Sequence, residues 1–397
     1  MSTMAETAKI EGTPSGEGNK PRRFSIDWRV YRSVIALAAV MVILAVLTEG
    51  TFLSARNLTN LTRQVAINGI LAVGMTYIIL IGGIDLSVGS VVALAGVVAG
   101  VLQVNAGLSE WVGMSAWWGA GISILAAVAV GTACGVFNGF LITRYRIAPF
   151  IITLGMMVIA RGLALIFAKG AAIAPLSDSF NFLGQEYLSP MVTGFVIGAA
   201  GLGVLVLRAL KSAKTVADFG AMAMIAAISG GLIWVFTTYR GMPVPVLIFA
   251  FFGLVGILIL QRTRLGRFVL AIGGNADAAW LAGVPIRKIT FGIYAVMGAL
   301  AGLSGAILSA RLNGSLPTAG ELFELDAIAA VVIGGTSLLG GVGTIRGSIL
   351  GAFFIGSLNN GMSLMDVTEF YQKVIKGVII ILAVWFDTRQ SKSGARA

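Results

Sequence analysis

The chain has no histidine and only one cysteine, Cys134, in 397 residues. Without histidine there is no Ser-His-Asp triad, no histidine proton relay and no histidine-ligated metal, and one thiolate cannot hold a zinc ion or an iron–sulfur cluster. An intrachain disulfide is impossible, and Cys134, inside an apolar run, reads as a packing residue. Charge is also scarce. Asp, Glu, Lys and Arg make up 11% of the chain against 57% hydrophobic residues, and the mean hydropathy is +0.93. A soluble domain of this length does not tolerate that balance. These deficits argue against covalent and metal-dependent enzymology, and no cofactor is expected.

What the chain has in abundance is long apolar runs. They fall near residues 31–48, 64–82, 84–103, 119–142, 148–168, 190–207, 217–238, 243–261, 289–310, 325–339, 342–362 and 370–386. Most are long enough to cross a bilayer core as a helix, whereas a membrane barrel would show shorter alternating segments. The expected fold is an all-α polytopic membrane protein with about twelve transmembrane helices.

The formal net charge of +11 does not call for nucleic acid. Lys and Arg gather at the ends of the apolar runs, at Lys20 to Arg32, Arg144/Arg146, Arg208 to Lys214, Arg262 to Arg267, Arg287/Lys288 and Arg389 to Arg396. Such residues favour cytoplasmic loops. With both termini inside, every one of these clusters falls on the cytoplasmic face, and the segments 48–63, 103–118, 169–189, 311–324 and 359–369 fall outside. Residues 1–30 are polar and carry no apolar core of signal-peptide type, so they read as a flexible cytoplasmic tail. Residues 31–388 then form the membrane domain and 389–397 a second cytoplasmic tail.

Two glycine doublets, Gly82-Gly83 and Gly340-Gly341, precede matching Gly-Ser pairs in "GGIDLSVGS" and "GGVGTIRGS". Paired glycines permit an abrupt reversal between closely packed helices, which makes both doublets hinge or gate candidates. Asp85 belongs with them. A carboxylate at the head of an apolar run is costly unless it caps a helix, pairs or meets water, and "DLS" before a helix suits an N-cap as well as a gate. Arg161, inside "FIITLGMMVIARGLALIFAKG", must face protein or a wet cavity, and Asp326 and Glu324 lie at comparable depth as partners. Gln64, Asn68, Asn138, Asn359 and Asn360 stand on otherwise apolar runs. Each can tie helices together for about 0.6 to 2 kcal/mol, or line a passage for a sugar-like solute. Asn68, Asn138, Arg161, Asn359 and Asn360 are therefore the pathway candidates. The scarcity of mid-membrane carboxylates argues against an ion-coupled carrier.

Between two of the runs lies "RFVLAIGGNADAAWLAGVPIRK". It reads like a strand entering Gly273-Gly274-Asn275 and then a short helix, as at a dinucleotide site, but it lacks G-x-G-x-x-G and has no following strand. No G-x4-G-K-[ST] occurs either. Instead, Asp277, Ala278, Ala279 and Gly283 have the E-A-A-x3-G spacing, with Asp for Glu, of the loop by which ABC-importer permeases dock onto their ATPase. Together with "INGILAVGMTYIILIGGIDLSVGS", "PTAGELFELDAIAAVVIGGTSLLGG" and "LNNG", this loop, residues 262–288, resembles that of the ribose, xylose, galactose and arabinose permeases of ABC importers. The likeness runs from about residue 31 to 388.

That resemblance implies a type II importer fold similar to the cobalamin permease, with a core of about ten spans. Two additional runs, 190–207 and 217–238, look most like the xylose branch. It further implies a subunit of the bacterial inner membrane that works as a homodimer with a tandem-domain ABC ATPase and a periplasmic sugar-binding protein. Such a subunit moves a monosaccharide inward by alternating access. An ion-coupled secondary sugar transporter is the alternative.

Overall fold

A computed structural model describes residues 28–105, 116–211 and 216–394. Most of the expected N-terminal tail, the end of the C-terminal tail, and parts of the 103–118 and 208–214 segments lie outside the described residues. The described chain is helical throughout, and its β-type pairing is confined to two isolated bridges, Ile173 with Ser315 and Tyr187 with Pro243. Each of the twelve expected apolar runs contains a helix. Among the described residues, seven helices are long and apolar enough to cross a membrane by length and composition.

The two helices that organise the rest are α2 (Ala55–Leu80) and α12 (Ile286–Leu312). Both are largely buried, and α12 packs against α2, against α3 (Val88–Gly100) and, most extensively, against α4 (Ala116–Tyr145). Glycine makes that possible. Along α4, Gly131 and Gly135 face Gly298 and Gly302 of α12 so closely that a methyl group on Gly298 would lie 2.8 Å from the Gly135 nitrogen and collide with the Gly131 carbonyl. A second seam pairs Gly96 of α3 with Gly305 of α12. In a membrane the apolar solvent supplies no drive to bury side chains, so close backbone approach between small residues carries the association.

Both α2 and α3 pack extensively on α12 and not on each other. The expected tight hairpin at Gly82-Gly83 is therefore corrected to a wider connection, in which the chain turns at Gly82 and runs without regular structure along Tyr294 of α12 before α3 begins. The second expected hairpin is real: α13 (Phe323–Ile333) packs on α14 (Ile345–Leu364), where Gly334 and Gly347 meet backbone to backbone. The run expected to be helical over 325–339 stops at Ile333, since Gly335 takes φ +86° and turns the chain.

The remaining long helices surround this centre: α1 (Trp28–Leu47), α5 (Pro149–Phe167), α9 (Val244–Arg262) and α15 (Glu369–Gly394). A short α6 (Asp178–Gln185) leads to a pair, α7 (Pro190–Lys211) and α8 (Val216–Thr238), which pack on each other and touch the core through α8. Their ends meet in one neck. Leu188 N–H donates to the Met242 carbonyl, Val244 N–H to the Glu186 carbonyl, and Gly241, at φ +99°, lies against the Leu188 carbonyl where no side chain fits.

Candidate coupling site at a junction of glycine turns

Residues 262–288 fold into two short helices, α10 (Arg264–Gly274) and α11 (Ala276–Leu281). The stretch before Gly273 is thus a helix and not the strand its sequence suggests; Thr263 caps it through Oγ1, and Gly266, Val269 and Ile272 form its buried face. Asn275, in extended conformation, breaks the helix and caps the next one, its Oδ1 accepting from Ala278 N–H at 2.9 Å. At the far end Gly283 adopts φ +79° and Pro285 precedes α12, so the chain stops and turns where the sequence indicates.

The four docking candidates do not share one face. Asp277 and Ala278 are exposed, Gly283 forms the turn, and Ala279 points inward and is 4% exposed. Trp280 and Leu281, which the sequence pattern did not single out, are 69% and 78% exposed. A projecting six-residue helix thus carries two large apolar side chains beside a carboxylate, with small Ala278 between, while Ala279 and Val284 anchor it to the core.

Where α11 attaches, three glycine doublets converge. Gly341 N–H donates to the Leu80 carbonyl at the end of α2, at 2.9 Å. Gly273 lies directly against that same carbonyl and against the Gly341 nitrogen. A side chain at Gly340 would come within 3.1 Å of the Gly82 nitrogen and 3.2 Å of the Gly273 Cα, and one at Gly341 within 2.7 Å of the Gly274 nitrogen. Gly82, Gly340 and Gly341 all have positive φ, at +78°, +88° and +73°. The hinge candidates Gly82, Gly340 and Gly341 are therefore brought together, and Gly273-Gly274 joins them. Backbone thus touches backbone between the base of α11, the end of α2 and the turn before α14, with no side chain between.

Gly83 and Asp85 continue the junction inward. A side chain at Gly83 would meet the Tyr294 hydroxyl of α12 at 2.6 Å, and that hydroxyl donates to the Ile84 carbonyl at 3.4 Å. Asp85 is buried, but it does not cap α3 as expected; the N-cap position is Ser87. Asp85 Oδ1 accepts from Ser87 N–H at 2.9 Å and from Ser87 Oγ at 2.6 Å, and Asn138 Nδ2 of α4 donates to Ser87 Oγ at 3.1 Å. The carboxylate thus folds the lead-in to α3 on itself and ties it to α4.

The other pathway candidates occupy separate places. Asn360 is locked in a reciprocal amide pair with Asn57 of α2, at 2.8 and 3.0 Å, and Asn57 also donates to the Phe52 carbonyl. Asn359 Nδ2 donates to Asp326 Oδ2, whose cationic partner is Lys376 of α15 at 3.1 Å. Arg161 pairs with neither Asp326 nor Glu324. Its Nη1 donates to the carbonyls of Pro317 and Ala319 at 2.6 and 3.0 Å, pinning the loop before α13 to α5. Asn68 Oδ1 and Asn138 Oδ1 are buried without a hydrogen-bond partner. Four of the five candidates thus hold helices or loops together, which their sequence neighbourhoods do not reveal because the partners come from distant parts of the chain.

Comparison with known proteins identifies the family. A family model described as a branched-chain amino acid transport system permease component matches residues 57–384. The xylose transport system permease protein XylH of Escherichia coli K12 is 41% identical over 375 residues, covering 92% of this chain and 93% of that protein. Its counterpart in Haemophilus influenzae is 40% identical over 381 residues, covering 93% and 98%. The ribose import permease protein RbsC of Bacillus subtilis is 37% identical over 359 residues, covering 89% and 91%. No solved structure matches. A helical membrane core, a projecting helix on a glycine junction, and likeness along nearly the whole chain lead to one conclusion: this protein belongs to the family of transport-system permease components that includes these sugar permeases.

Proposed function

We propose that the chain is the permease subunit of an ABC importer that carries a monosaccharide, a pentose such as xylose, into the cytoplasm. Two copies form the passage, a tandem-domain ATPase binds the cytoplasmic face at α11, and a periplasmic binding protein delivers the sugar. The fold is of the type II importer kind, twelve-spanning, with α7 and α8 added to a core of about ten, and both termini are cytoplasmic. The observation that carries this reading is the exposed Asp277-Ala278-Ala279-Trp280-Leu281 helix attached to the glycine junction. ATP-driven movement of the partner displaces α11, the junction passes that displacement to α2 and α14, and alternating access follows from a shift between two packed arrangements of those helices. Gly82, Gly83, Asp85, Gly340 and Gly341 act in this scheme as the hinge.

The test is xylose uptake in proteoliposomes holding the permease, its ATPase and its binding protein. Trp280→Asp with Leu281→Asp leaves the folded subunit in the membrane but prevents co-purification of the ATPase and abolishes uptake. Normal uptake by that double variant refutes the docking assignment, and uptake that collapses with the ion gradients and ignores ATP establishes the ion-coupled alternative. Topology is tested separately in a Cys134→Ala background: a membrane-impermeant thiol reagent labels Asp178→Cys from the periplasm and does not reach Arg208→Cys. The reverse pattern inverts the proposed orientation.

A further inference from the structure

Between α2, α9 and α12 lies a cavity of about 390 Å³ that opens to the molecular surface. Its walls are Val73 and Tyr77 of α2, Phe252 and Ile259 of α9, and Ile293, Val296 and Leu300 of α12. Gly292 leaves it open, since a side chain there would meet nothing within 4 Å. Polar groups are nearly absent. The Tyr77 hydroxyl donates to the Gly256 carbonyl at 2.6 Å and is spent. The exception is Lys288, which lines one end, is exposed, and forms no ion pair with any described acid.

We infer that this groove is a binding site for an anionic phospholipid, with one acyl chain in the groove and the headgroup phosphate on Lys288. A sugar does not suit it, because its hydroxyls would find no donors or acceptors along the apolar walls. An acyl chain loses nothing there, and the dimensions agree. Lys288 and Leu300 are both on α12, about 18 Å apart at 1.5 Å per residue, close to the ~15 Å depth of one leaflet's hydrocarbon. The cation is therefore at headgroup level when the far end is near the bilayer midplane. Basic pockets between membrane helices are recognised settings for anionic headgroups. Arg287 precedes Lys288, and Leu265, also in the wall, is flanked by Arg264 and is close in sequence to Arg267, so both lining positions at this end stand in basic stretches of sequence, and Lys288 is the cation that lines the groove. Placement in the cytoplasmic leaflet rests on the orientation proposed above; the site itself does not. Because the groove contacts the starts of α10 and α12, a bound lipid braces both ends of the segment that carries α11.

The full-length protein is reconstituted in phosphatidylcholine nanodiscs doped with phosphatidylglycerol bearing a photoreactive diazirine near the end of one acyl chain. After irradiation, labelled residues are mapped by mass spectrometry, and the same diazirine on phosphatidylcholine is the control. The glycerol probe is expected to label Val296, Leu300 and Phe252 in preference to the choline probe. Lys288→Gln reduces that preference about fivefold, the scale of one basic residue near an anionic surface. Gly292→Leu fills the groove and lowers labelling inside it roughly tenfold, as lost occupancy, while leaving the outward-facing Leu254 and Leu258 labelled. Equal labelling by both probes overturns the proposal. So does a groove that stays unlabelled while Leu254 and Leu258 are labelled, which would mean that a second copy of the chain covers it, and so does labelling unchanged by Gly292→Leu.

Discussion

The paired helices α2 and α12 and the peripheral pair α7 and α8 are built from similar residues and put to opposite uses. In α2, 78% of the most apolar stretch is buried within the protein and in α12 67%, whereas in α7 and α8 only 11% is. Yet α2 and α12 are less apolar than α7 and α8. Hydropathy therefore marks what faces lipid, and small residues alone do not decide burial: what differs is whether a glycine faces another backbone. Gly298, Gly302 and Gly305 of α12 lie so close to a neighbouring backbone that a methyl group would collide with it, while Gly198 and Gly203 of α7 and Gly230 and Gly231 of α8 meet nothing within 4 Å.

The strongest way to break that comparison is to put the same side chain in both regions. Gly298→Leu drives a branched chain into the backbone of α4 and costs about 3 kcal/mol or more. The expected result is loss of the monodisperse peak in size-exclusion chromatography after detergent extraction, and a Gly298→Leu protein with unchanged elution and melting would show that the seam yields.

Next in size is the junction. Gly273→Ala pushes a methyl group against the Leu80 carbonyl, whereas Gly274→Ala points into open space. Uptake by the first is expected to fall at least about tenfold, an effect of roughly 1.4 kcal/mol on the transport barrier, while the second transports normally. Equal uptake by the two variants would separate the junction from transport.

Smaller still is the loss of one amide tie. Asn360→Ala leaves Asn57 Oδ1 without its donor inside the core and is expected to cost about 1 kcal/mol, read as a lowered melting temperature in detergent. The smallest effect closes the comparison. Gly198→Leu and Gly230→Leu, on the lipid-facing pair, are expected to change stability by no more than about 0.5 kcal/mol, and a large drop in melting temperature for either would mean that α7 and α8 are packed against something in the native membrane.

Much of the helical layout is legible in the sequence because apolar runs must satisfy their own backbone, and each expected run does contain a helix. The glycine site is half legible. Five Gly-Gly doublets occur in the chain, at 82, 230, 273, 334 and 340, and nothing local distinguishes the three that converge from the other two. Asp85 is recognisable as a buried carboxylate needing a partner, but an Asx-type turn and an N-cap differ by two residues of register that local sequence does not fix. The amides are the least legible. Asn57 and Asn360 are separated by most of the chain, so only the packing of α2 against α14 brings them into contact.

The neck at Leu188 and Gly241 has a topological consequence. Since the chain leaves the core and rejoins it at one knot of backbone contacts, the segment between is a detour that returns to its own starting point. Whatever its length, the polypeptide after Met242 resumes on the side from which it departed at Leu188. A paired insertion here is silent for everything downstream: α9 keeps its direction, and α11 emerges on the same face as it would without the detour. A single added helix would instead have turned every later segment upside down. The neck is thus a place where two helices can be added or removed together without reversing the segments that follow.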